Sequence, residues 1–582
     1  MTDKMIQRLL LSIVVVLTLG LLALSNYVWA ASDRNLQRLM VLADTPVSNT
    51  ARGEYQGVFT DSSKIISPQV LPRGPLGVNE NVWTGPSQSR VSTTTDTDLN
   101  CRYGVAGWGS ALDQMPALGV GWYLDFVAHS PSGPADVEFV QVIRVKQNKD
   151  GNGNYLSGYS VIPSLTEGGL GNLLAANPGA LWTVGNEPDR GPDPGETDGG
   201  QDDTYPEVYA TAYGDIYQFI KQRDPTAQVA VAGLVEVTPG RLQYLDKVWE
   251  AYKQHFGVTM PVDVWNMHLY ILPEAHVNGQ PNGVANVALG TDLALAIRES
   301  GGDPSQCADS DVYCWAEHDD MSVFAEQVVA MRQWMKDHGQ RKKPLILSEH
   351  GILYPFEDYD DPVNPTRCYL QDEYGNCFTA ARVSSYMTQV FNYLETAVDA
   401  NLGYPADNYR LVQQWLWYSL QCTGPGYVSD LLEADNVTLT QVGQTFQNHV
   451  TGQSTAVNLF PDRVPPVVGT SETGAVTVTL SVAVRNNGNV QASGPFIVTF
   501  YSDASLTQPI GSEILSDLGG CARRAATAET TWANLISGPH FFWVKVDSSE
   551  VVAESAEGDN LAQGVVLVNP HQMFLPMALR DG

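Results

Sequence analysis

Two glutamates end apolar stretches of the sequence that a β-sheet would bury. Glu187 closes the run 181–187 (LWTVGNE), and Glu349 closes the run 344–349 (PLILSE). A carboxyl group at the end of a buried strand needs a specific reason to be there. Two such groups facing one another can divide acid and base work, because their mutual repulsion helps to hold their pKa values apart. Glycoside hydrolysis needs this division: one carboxyl protonates the leaving oxygen, and the other attacks or activates water.

The elements that would bring these glutamates together are short apolar runs between about residues 100 and 450. Each run is closed by turn residues, and helical spacing follows several of them. The runs lie at residues 103–108, 119–126, 139–145, 181–187, 229–235, 262–270, 344–349 and 411–417. Eight such strands predict an α/β fold, the closed (β/α)8 TIM barrel. The active-site face of that barrel is formed by the C-terminal strand ends, so the two glutamates should face one another there.

The fourth and seventh strands resemble the clan A retaining glycosidases, a family with (β/α)8 barrels. The resemblance rests on Asn186-Glu187-Pro188 closing the fourth strand and on Glu349 closing the seventh. The run 182–189 (WTVGNEPD) is similar to members that act on β-1,3-glucans. The resemblance implies that Glu187 is the acid/base, that Glu349 is the nucleophile and that Asn186 binds the 2-hydroxyl of the sugar. It implies a hydrolase without a cofactor or a metal.

The same resemblance implies contacts at other strand ends. His268 and Tyr270 end the sixth run, where the family has a His or Tyr that touches the nucleophile; a place in the core is the alternative for both. Trp415 or Trp417 matches the aromatic platform beneath the scissile sugar. Arg144 ends the third run and is expected either to orient the nucleophile or the asparagine, or to form an ordinary salt bridge at the rim.

The segment after the barrel changes to a period of two. Apolar residues alternate with polar ones from Val476 to Val484, and further strand-like runs follow a turn, which predicts a small all-β immunoglobulin-like sandwich. The segment resembles the CARDB family, bacterial immunoglobulin-like modules associated with cell adhesion. The resemblance rests on the runs 484–488 (VRNNG) and 544–547 (VKVD), and on Glu554 followed by Asp559-Asn560. We expect Asp547, Glu554 and Asp559 to be solvated turn residues, with calcium ligands as the alternative.

The N-terminus has the pattern of an export signal. Lys4 and Arg8 precede the apolar run 9–24, and the residues 28–31 (VWAA) provide a small-residue cleavage site. An uncleaved anchor is the alternative, because the run is only just shorter than a membrane span. We therefore expect a secreted or cell-surface protein.

The seven cysteines fit an exported protein. Cys307 with Cys314, and Cys368 with Cys377, are close in sequence and are expected to form disulfides. The cysteines without an obvious partner are Cys101, Cys422 and Cys521. The odd total leaves at least one free thiol or an intermolecular link.

These features divide the chain into six parts. They are a signal peptide (1–30), a leader (31–98), the catalytic barrel (99–451), a linker (452–474), the sandwich (475–569) and a C-terminal tail (570–582).

Charge and missing motifs exclude several functions. The chain has 64 acidic and 33 basic residues and a net charge of −31, which disfavours nucleic acids, anionic lipids and polyanionic substrates. HExxH, GxSxG and P-loop patterns are absent from the sequence. The prediction is a retaining glycosidase that acts on a neutral β-linked polysaccharide, with the C-terminal domain as a candidate for cell-surface attachment. The alternative is a non-catalytic carbohydrate-binding or adhesion protein that uses the barrel as a scaffold.

Overall fold

Parallel strands followed by helices make up the N-terminal part of the described chain. The computed structural model describes residues 99–192, 201–281, 283–353, 368, 371–422, 429–472 and 474–569. The strands of this part are β1 (Asn100–Ala106), β2 (Val120–Leu124), β3 (Glu138–Phe139), β4 (Gln141–Lys149), β5 (Tyr155–Ile162), β6 (Leu181–Val184), β7 (Gln228–Val231), β8 (Trp265–Leu269), β9 (Arg298–Glu299), β10 (Val312–Tyr313), β11 (Leu345–His350) and β12 (Gln414–Trp417). Its α-helices are α1 (Met115–Leu118), α2 (Asn172–Ala176), α3 (Pro206–Arg223), α4 (Pro239–Phe256), α5 (Met321–Asp337), α6 (Ala380–Thr396) and α7 (Gln441–Thr451). This part is therefore a mixed α/β structure.

Most of these strands belong to two sheets. Six strands pair in the order β3-β2-β1-β12-β11-β8, and every neighbouring pair is parallel. The second sheet has the order β5-β4-β6-β7, which is parallel except for the antiparallel pair of β4 and β5. A parallel bridge joins Ala230 of β7 to Val264, just before β8. Each of the eight predicted runs overlaps a strand, whereas closure into a (β/α)8 barrel stays a prediction.

Side chains of the parallel strands fall into two buried layers. The helix-facing layer packs strand residues such as Leu345 and Leu347 against the helices. The inner layer packs residues that point the other way, such as Ala106, Trp122 and Leu416. Because strand side chains alternate between faces, the position of a residue along its strand decides which layer it joins.

Helix α3 shows how a helix is fixed to the strand that leads to Glu187. Pro206 stands in its first turn, where the missing N–H breaks no helix hydrogen bond. Tyr209, Tyr213 and Ile220 recur at helical spacing and are buried on one face. The Tyr209 hydroxyl donates a hydrogen bond to the carbonyl of Val184, the last residue of β6 (2.6 Å).

The C-terminal part is a two-sheet β-sandwich. Its strands are β13 (Leu459–Arg463), β14 (Val467–Gly469), β15 (Val476–Asn486), β16 (Phe496–Tyr501), β17 (Pro509–Leu515), β18 (Ala526–Leu535), β19 (Gly538–Lys545) and β20 (Leu561–Val568). The sheets have the orders β13-β15-β18 and β14-β20-β19-β16-β17. The alternating valines and leucine of β15 are buried between them, as the period of two predicts.

The segment 452–474 is not the free linker that the sequence suggests. It contains β13 and β14, which pair with β15 and β20 of the sandwich. Prolines at 461, 465 and 466 resemble a linker, but both strands lie at sheet edges, where proline is tolerated. The sandwich therefore begins before residue 475.

A crosslink and an ion pair join the sandwich to the α/β part. Cys101 of β1 forms a disulfide with Cys521. Nearby, the buried Arg523 contacts Glu138 and donates a hydrogen bond to Gln228 (2.8 Å). Cys101, Glu138 and Gln228 stand at the N-terminal ends of β1, β3 and β7. The sandwich therefore packs at the opposite strand ends from the two glutamates.

The other disulfides agree with the sequence. Both predicted pairs, Cys307–Cys314 and Cys368–Cys377, are present. Of the cysteines that sequence leaves open, two pair across 420 positions, and Cys422 is a buried free thiol. A separation of that size leaves no local pattern from which to predict the pair.

Some predictions fall outside the described residues. These are the signal peptide (1–30), the leader (31–98) and the C-terminal tail (570–582). Among the helices that the structure describes, none combines the length and the hydrophobicity needed to cross a membrane.

Removing the Cys101–Cys521 crosslink should destabilise the protein more than removing Cys307–Cys314. A crosslink that closes a longer loop restricts the unfolded chain more, and these pairs span 420 and 7 positions. We expect the double variant Cys101→Ser/Cys521→Ser to lose about 2–5 kcal/mol of stability, seen as a lower Tm in calorimetry. The matched variant Cys307→Ser/Cys314→Ser should lose less. An unchanged Tm in the first variant would contradict a crosslink between the two parts.

Candidate active site

Glu187 lies in a tight turn directly after β6. Its backbone has a φ of 44°, in the left-handed region that few non-glycine residues adopt. Its N–H donates to the carbonyl of Gly233 (3.0 Å), and its own carbonyl accepts from the N–H of Arg190 (3.2 Å). The side chain is fully buried. The turn therefore holds a carboxyl group in one place at considerable backbone strain.

Glu349 reaches the same place through an irregularity in β11. Leu347 pairs with Met267, but Glu349, not Ser348, pairs with the next residue of β8, His268. Ser348 is therefore an extra residue, as in a β-bulge, which changes the face to which later side chains point. Without it, Glu349 would share the helix-facing side of Leu347. With it, Glu349 lies beside His268.

One imidazole nitrogen contacts both carboxyl groups. Nδ1 of His268 lies 3.0 Å from Oε1 of Glu187 and 3.4 Å from Oε2 of Glu349. An oxygen of each carboxyl and a ring nitrogen of His268 lie within 4.8 Å of one another. Tyr270 donates its hydroxyl to Oε1 of Glu349 (2.9 Å). The structure thus brings four of the predicted site residues into one buried cluster.

Gly233 makes room for the imidazole. A Cβ atom at this position would lie 2.1 Å from Cδ2 of His268, far inside van der Waals contact. The residue follows β7, so β6, β7, β8 and β11 all contribute to the position of the cluster. Glycine here is required by the close approach of the ring.

Burial and mutual charge set the pKa values of the cluster. Burial raises the pKa of Glu349 to about 7, with a contribution from Glu187 and against the opposing effect of His268. Burial alone would also raise the pKa of Glu187, but His268, with smaller effects from Arg190 and Arg241, lowers it. Burial would lower the pKa of His268, but the two carboxyl groups raise it. The pKa of Glu349 is thus shifted upwards and that of Glu187 downwards, directions opposite to the acid/base assignment expected from the sequence.

Asn186 and Arg144 meet through a residue that the sequence does not single out. Asp202 is fully buried and accepts hydrogen bonds from the backbone N–H of Asn186 (2.8 Å) and from Nε of Arg144 (2.5 Å). The side-chain amide of Asn186 donates to Gln201 (2.7 Å). Arg144 therefore acts on Asn186 through Asp202. The only sequence signal for Asp202 is its place in an acidic stretch.

The two predicted platform residues lie on the other face of β12. Trp415 and Trp417 are fully buried in the helix-facing layer, where Trp415 packs edge-on against Tyr103 and Trp417 against His350. Tyr418, the next residue, belongs to the inner layer. Because side chains alternate along a strand, the two tryptophans and Tyr418 point to opposite faces, but the sequence alone does not say which face is the inner one. The tryptophans are therefore core residues in this structure, and Tyr418 is the aromatic residue at this strand end that belongs to the inner layer.

His350, which follows Glu349, also turns away from the cluster. It pairs with Leu269 on the helix-facing side and packs against Phe324 and Trp417. Burial lowers the pKa of His350 to about 3. It is thus a neutral core residue.

Two clusters of described residues have metal-ligand atoms close together. Cys307 and Cys314 lie near Glu373, but these cysteines are joined in a disulfide and offer no thiolate. The other cluster is formed by Glu187, His268 and Glu349. Its one nitrogen and two oxygens are a donor set that Zn²⁺ accepts, and the hydrogen bond of His268 to Glu187 with the ion-pair contact of His268 to Glu349 already accounts for their arrangement.

A family model described as CARDB matches residues 464–563, and these residues form a CARDB domain. Within this domain Asp547 is fully buried and accepts a hydrogen bond from the N–H of Val552 (2.8 Å). Glu554 accepts from the Asn560 amide (2.9 Å), and burial raises its pKa to about 7. The expectation of solvated turns is therefore wrong for Asp547, because its side chain holds a loop of the domain together.

No curated protein matches the chain. Similar solved structures include a GH128 (subgroup II) endo-β-1,3-glucanase from Pseudomonas viridiflava, at 15% identity and a TM-score of 0.34, covering 60% of this chain and 97% of that one. A GH128 (subgroup I) endo-β-1,3-glucanase from Amycolatopsis mediterranei, in complex with laminaritriose, has 16% identity and a TM-score of 0.34, covering 60% and 98%. The CARDB domain of the PF1109 protein from Pyrococcus furiosus, in complex with di-metal ions, has 21% identity and a TM-score of 0.17, covering 20% and 96%.

Replacing Glu349 by Gln should stabilise the protein increasingly as the pH rises. The pKa of Glu349 is raised from 4.5 to about 7, so the stability that the protonated group supports is present below about pH 4.5 and is lost as the pH rises through 7. A shift of this size corresponds to roughly 3 kcal/mol for a fully buried group. We expect the Tm of Glu349→Gln, relative to the wild type, to increase between pH 5 and pH 8.

The matched control is Glu250→Gln on α4, whose side chain is 57% exposed. It measures the effect of the same chemical change without burial. A Tm difference for Glu349→Gln that stays constant with pH would contradict the raised pKa.

Proposed function

We propose that this protein is a retaining glycosidase that hydrolyses O-glycosidic bonds of a neutral β-linked polysaccharide. Glu349 is the nucleophile and Glu187 is the acid/base. The observation that carries the proposal is the convergence of the two buried carboxyl groups, which have oxygens within 4.8 Å of each other. Retaining enzymes hold these groups about 5–5.5 Å apart, whereas inverting enzymes need about 6.5–9.5 Å to admit a water.

The first step breaks the glycosidic bond. A carboxylate oxygen of Glu349 attacks the anomeric carbon, and the leaving oxygen departs with the proton of Glu187. Tyr270, which donates to Oε1 of Glu349, orients the attacking group. In the second step the Glu187 carboxylate takes a proton from water, the water oxygen attacks the anomeric carbon, and the bond to Glu349 breaks.

The proton of the pair must move before the first step. The shifts in the unliganded cluster, upwards for the pKa of Glu349 and downwards for that of Glu187, favour the proton on Glu349, whereas the attack needs it on Glu187. Both carboxyl groups contact Nδ1 of His268, so the two protonation states differ only by the position of a proton within one cluster. Such a pair titrates as a unit, and one of its states is the acid and carboxylate that the chemistry requires.

We also propose that the eight parallel strands close into a (β/α)8 barrel over residues 99–451. Two contacts between the sheets support closure. Ala230 bridges to Val264 on one side, and on the other the N–H of Val140, between β3 and β4, donates to the carbonyl of Tyr123 in β2 (2.9 Å). Glu187 and Glu349 then stand at the C-terminal strand ends, where barrel enzymes have their sites.

The setting of the enzyme is consistent with an extracellular polysaccharide. Three disulfides and a CARDB domain are typical of extracellular proteins. The net charge of −31 disfavours polyanionic substrates and suits neutral ones. The predicted signal peptide and attachment through the CARDB domain belong to this proposal.

The competing function is carbohydrate binding or adhesion without catalysis. That function gives no reason to keep two carboxyl groups buried side by side, because burying ionised carboxyl groups is expensive unless they are paired. The strained turn at Glu187 adds to this cost. Both features favour catalysis over carbohydrate binding or adhesion without catalysis.

Hydrolysis of a panel of glycans, starting with a β-1,3-glucan, tests the proposal. Glu349→Gln and Glu187→Gln should each lower kcat/KM by at least about 10²–10⁴-fold, because each removes a reacting group. The control Glu250→Gln, at an exposed carboxyl of α4, should keep wild-type activity. Absence of turnover by the wild type on every glycan would favour the adhesion function, and unchanged turnover by Glu349→Gln would exclude Glu349 as the nucleophile.

Tyr418, rather than Trp415 or Trp417, is proposed as the aromatic contact of the sugar. It lies in the inner layer and close enough to Tyr270 to contribute to the raised pKa of that hydroxyl. We expect Tyr418→Leu to raise KM at least tenfold, because a sugar face loses its stacking partner. Trp417→Leu should lower the Tm by several degrees and leave KM unchanged, because the side chain fills the core. A raised KM in Trp417→Leu, with none in Tyr418→Leu, would reverse this assignment.

A further inference from the structure

A buried arginine joins three loops behind Glu187. Arg241 stands in the first turn of α4 and is fully buried. Its guanidinium contacts the Asp189 carboxylate, lies 3.1 Å from Oε1 of Glu274, and donates to the carbonyls of Ala285 and Asn286 (2.9 Å each). These partners belong to the segments that follow β6 and β8, and α4 itself follows β7. One side chain therefore ties together three successive strand ends.

Asp189 connects this arginine to the turn that carries Glu187. Asp189 follows Glu187 by two residues, and its carbonyl accepts a hydrogen bond from the N–H of Leu289 (2.9 Å). The carbonyl of the intervening Pro188 accepts from Thr204 (2.7 Å). A turn with Glu187 at a positive φ persists only when its surroundings hold it. Arg241 supplies the charged part of that support.

Charge is also unevenly balanced around the arginine. Three buried carboxyl groups, Asp189, Glu236 and Glu274, face one guanidinium. Burial, with a contribution from Glu274, raises the pKa of Glu236 well above its usual value. Glu274 accepts hydrogen bonds from Thr238 (2.6 Å) and from the N–H of Ile297 (2.8 Å). Burial also raises the pKa of Glu274, against the opposing effect of Arg241, and the guanidinium of Arg241 contributes to the lowered pKa of Glu187.

We propose that Arg241 is a positioning residue for Glu187, which holds the turn after β6 through Asp189 and places a buried positive charge within electrostatic reach of the Glu187 carboxyl. The effect of Arg241 on catalysis rests on the proposed function, whereas the coupling between Arg241 and Glu187 does not. The other titratable groups that face Glu187 are His268, Tyr270, Glu349, Arg190 and Glu236.

The first test measures the coupling without any substrate. The Tm of the full chain is followed from pH 2 to pH 8 for the wild type, Glu187→Gln, Arg241→Met and the double variant, because the pKa of Glu187 lies below its usual value. We expect the effect of Glu187→Gln to depend on Arg241 near pH 7, and this dependence to shrink at low pH as Glu187 is protonated. Additive effects at every pH would overturn the proposal.

Arg332 provides the matched control for this cycle. It is another fully buried arginine, on α5, and it donates to the carbonyl of Lys343 (3.1 Å) and to the side chain of Gln413 (2.5 Å). Arg332→Met removes a buried guanidinium that has no contact with the cluster around Glu187. Its effect should be additive with Glu187→Gln at every pH, and coupling of the same size would mean that the measurement reports general destabilisation.

The second test uses the pH profile of kcat/KM on a hydrolysed glycan. Arg241→Met should move the acidic limb, which is set by the lower pKa of the carboxyl pair, to higher pH, because the Glu187 carboxylate loses a stabilising positive charge. Arg241→Lys should restore the position of that limb while kcat stays about tenfold low, because lysine keeps the charge but not the fork of hydrogen bonds. A lower Tm with an unmoved profile in Arg241→Met would show a purely structural role.

Asp189→Asn keeps the proposal testable where Arg241→Met fails to fold. It removes a counter-charge of the arginine, so the same limb should move to lower pH. An unmoved limb in this variant would contradict the proposal. A wild type that hydrolyses no glycan would end the proposed function, and the stability cycle would still decide the role of Arg241.

Discussion

The structure of the site depends on keeping two carboxyl groups buried against one imidazole. Glu187, Glu349 and His268 are all at most 2% exposed, so their charges are stabilised by one another rather than by water. The pKa values move in opposite directions as a result, which leaves one carboxyl group able to donate a proton and one able to accept it. The proposed chemistry uses the other placement of the same proton, on Glu187 instead of Glu349, within this one cluster.

Several departures from regular backbone geometry position the side chains of this cluster. The extra residue Ser348 brings Glu349 to the face of His268, and the absence of a side chain at Gly233 admits the ring. Glu187 sits at a positive φ, held from behind by the Asp189–Arg241 pair. Each departure is local, and each lies at the end of a strand, where irregular backbone does not interrupt the sheets. The sandwich, by contrast, packs at the N-terminal strand ends, away from the two glutamates.

Sequence reasoning succeeded where a signal is local. A carboxyl group at the end of an apolar run predicts that both glutamates lie at strand ends, and the period of two predicts β15, because the burial of a strand shows in the types of neighbouring residues. The catalytic roles of the two glutamates stay a prediction. It failed where the outcome depends on which face turns inward or on distant partners. Trp417 and Tyr418 are adjacent, and only the packing of α6 and α7 decides that the tryptophan points to the helices. The Cys101–Cys521 pair and the contact of Arg144 with Asp202 likewise join residues that no local pattern connects.

Covalent labelling of the nucleophile tests the central claim most directly. A 2-deoxy-2-fluoro-β-glucosyl fluoride, or its β-1,3-linked disaccharide analogue, loses fluoride to an attacking carboxylate, and the 2-fluorine slows hydrolysis of the ester by destabilising the oxocarbenium-like transition state. Peptide mass spectrometry after labelling should find one added fluoroglycosyl group, on the peptide that contains Glu349, and none in Glu349→Gln. A label on another residue, or a turnover product of inverted configuration without any label, would contradict the account.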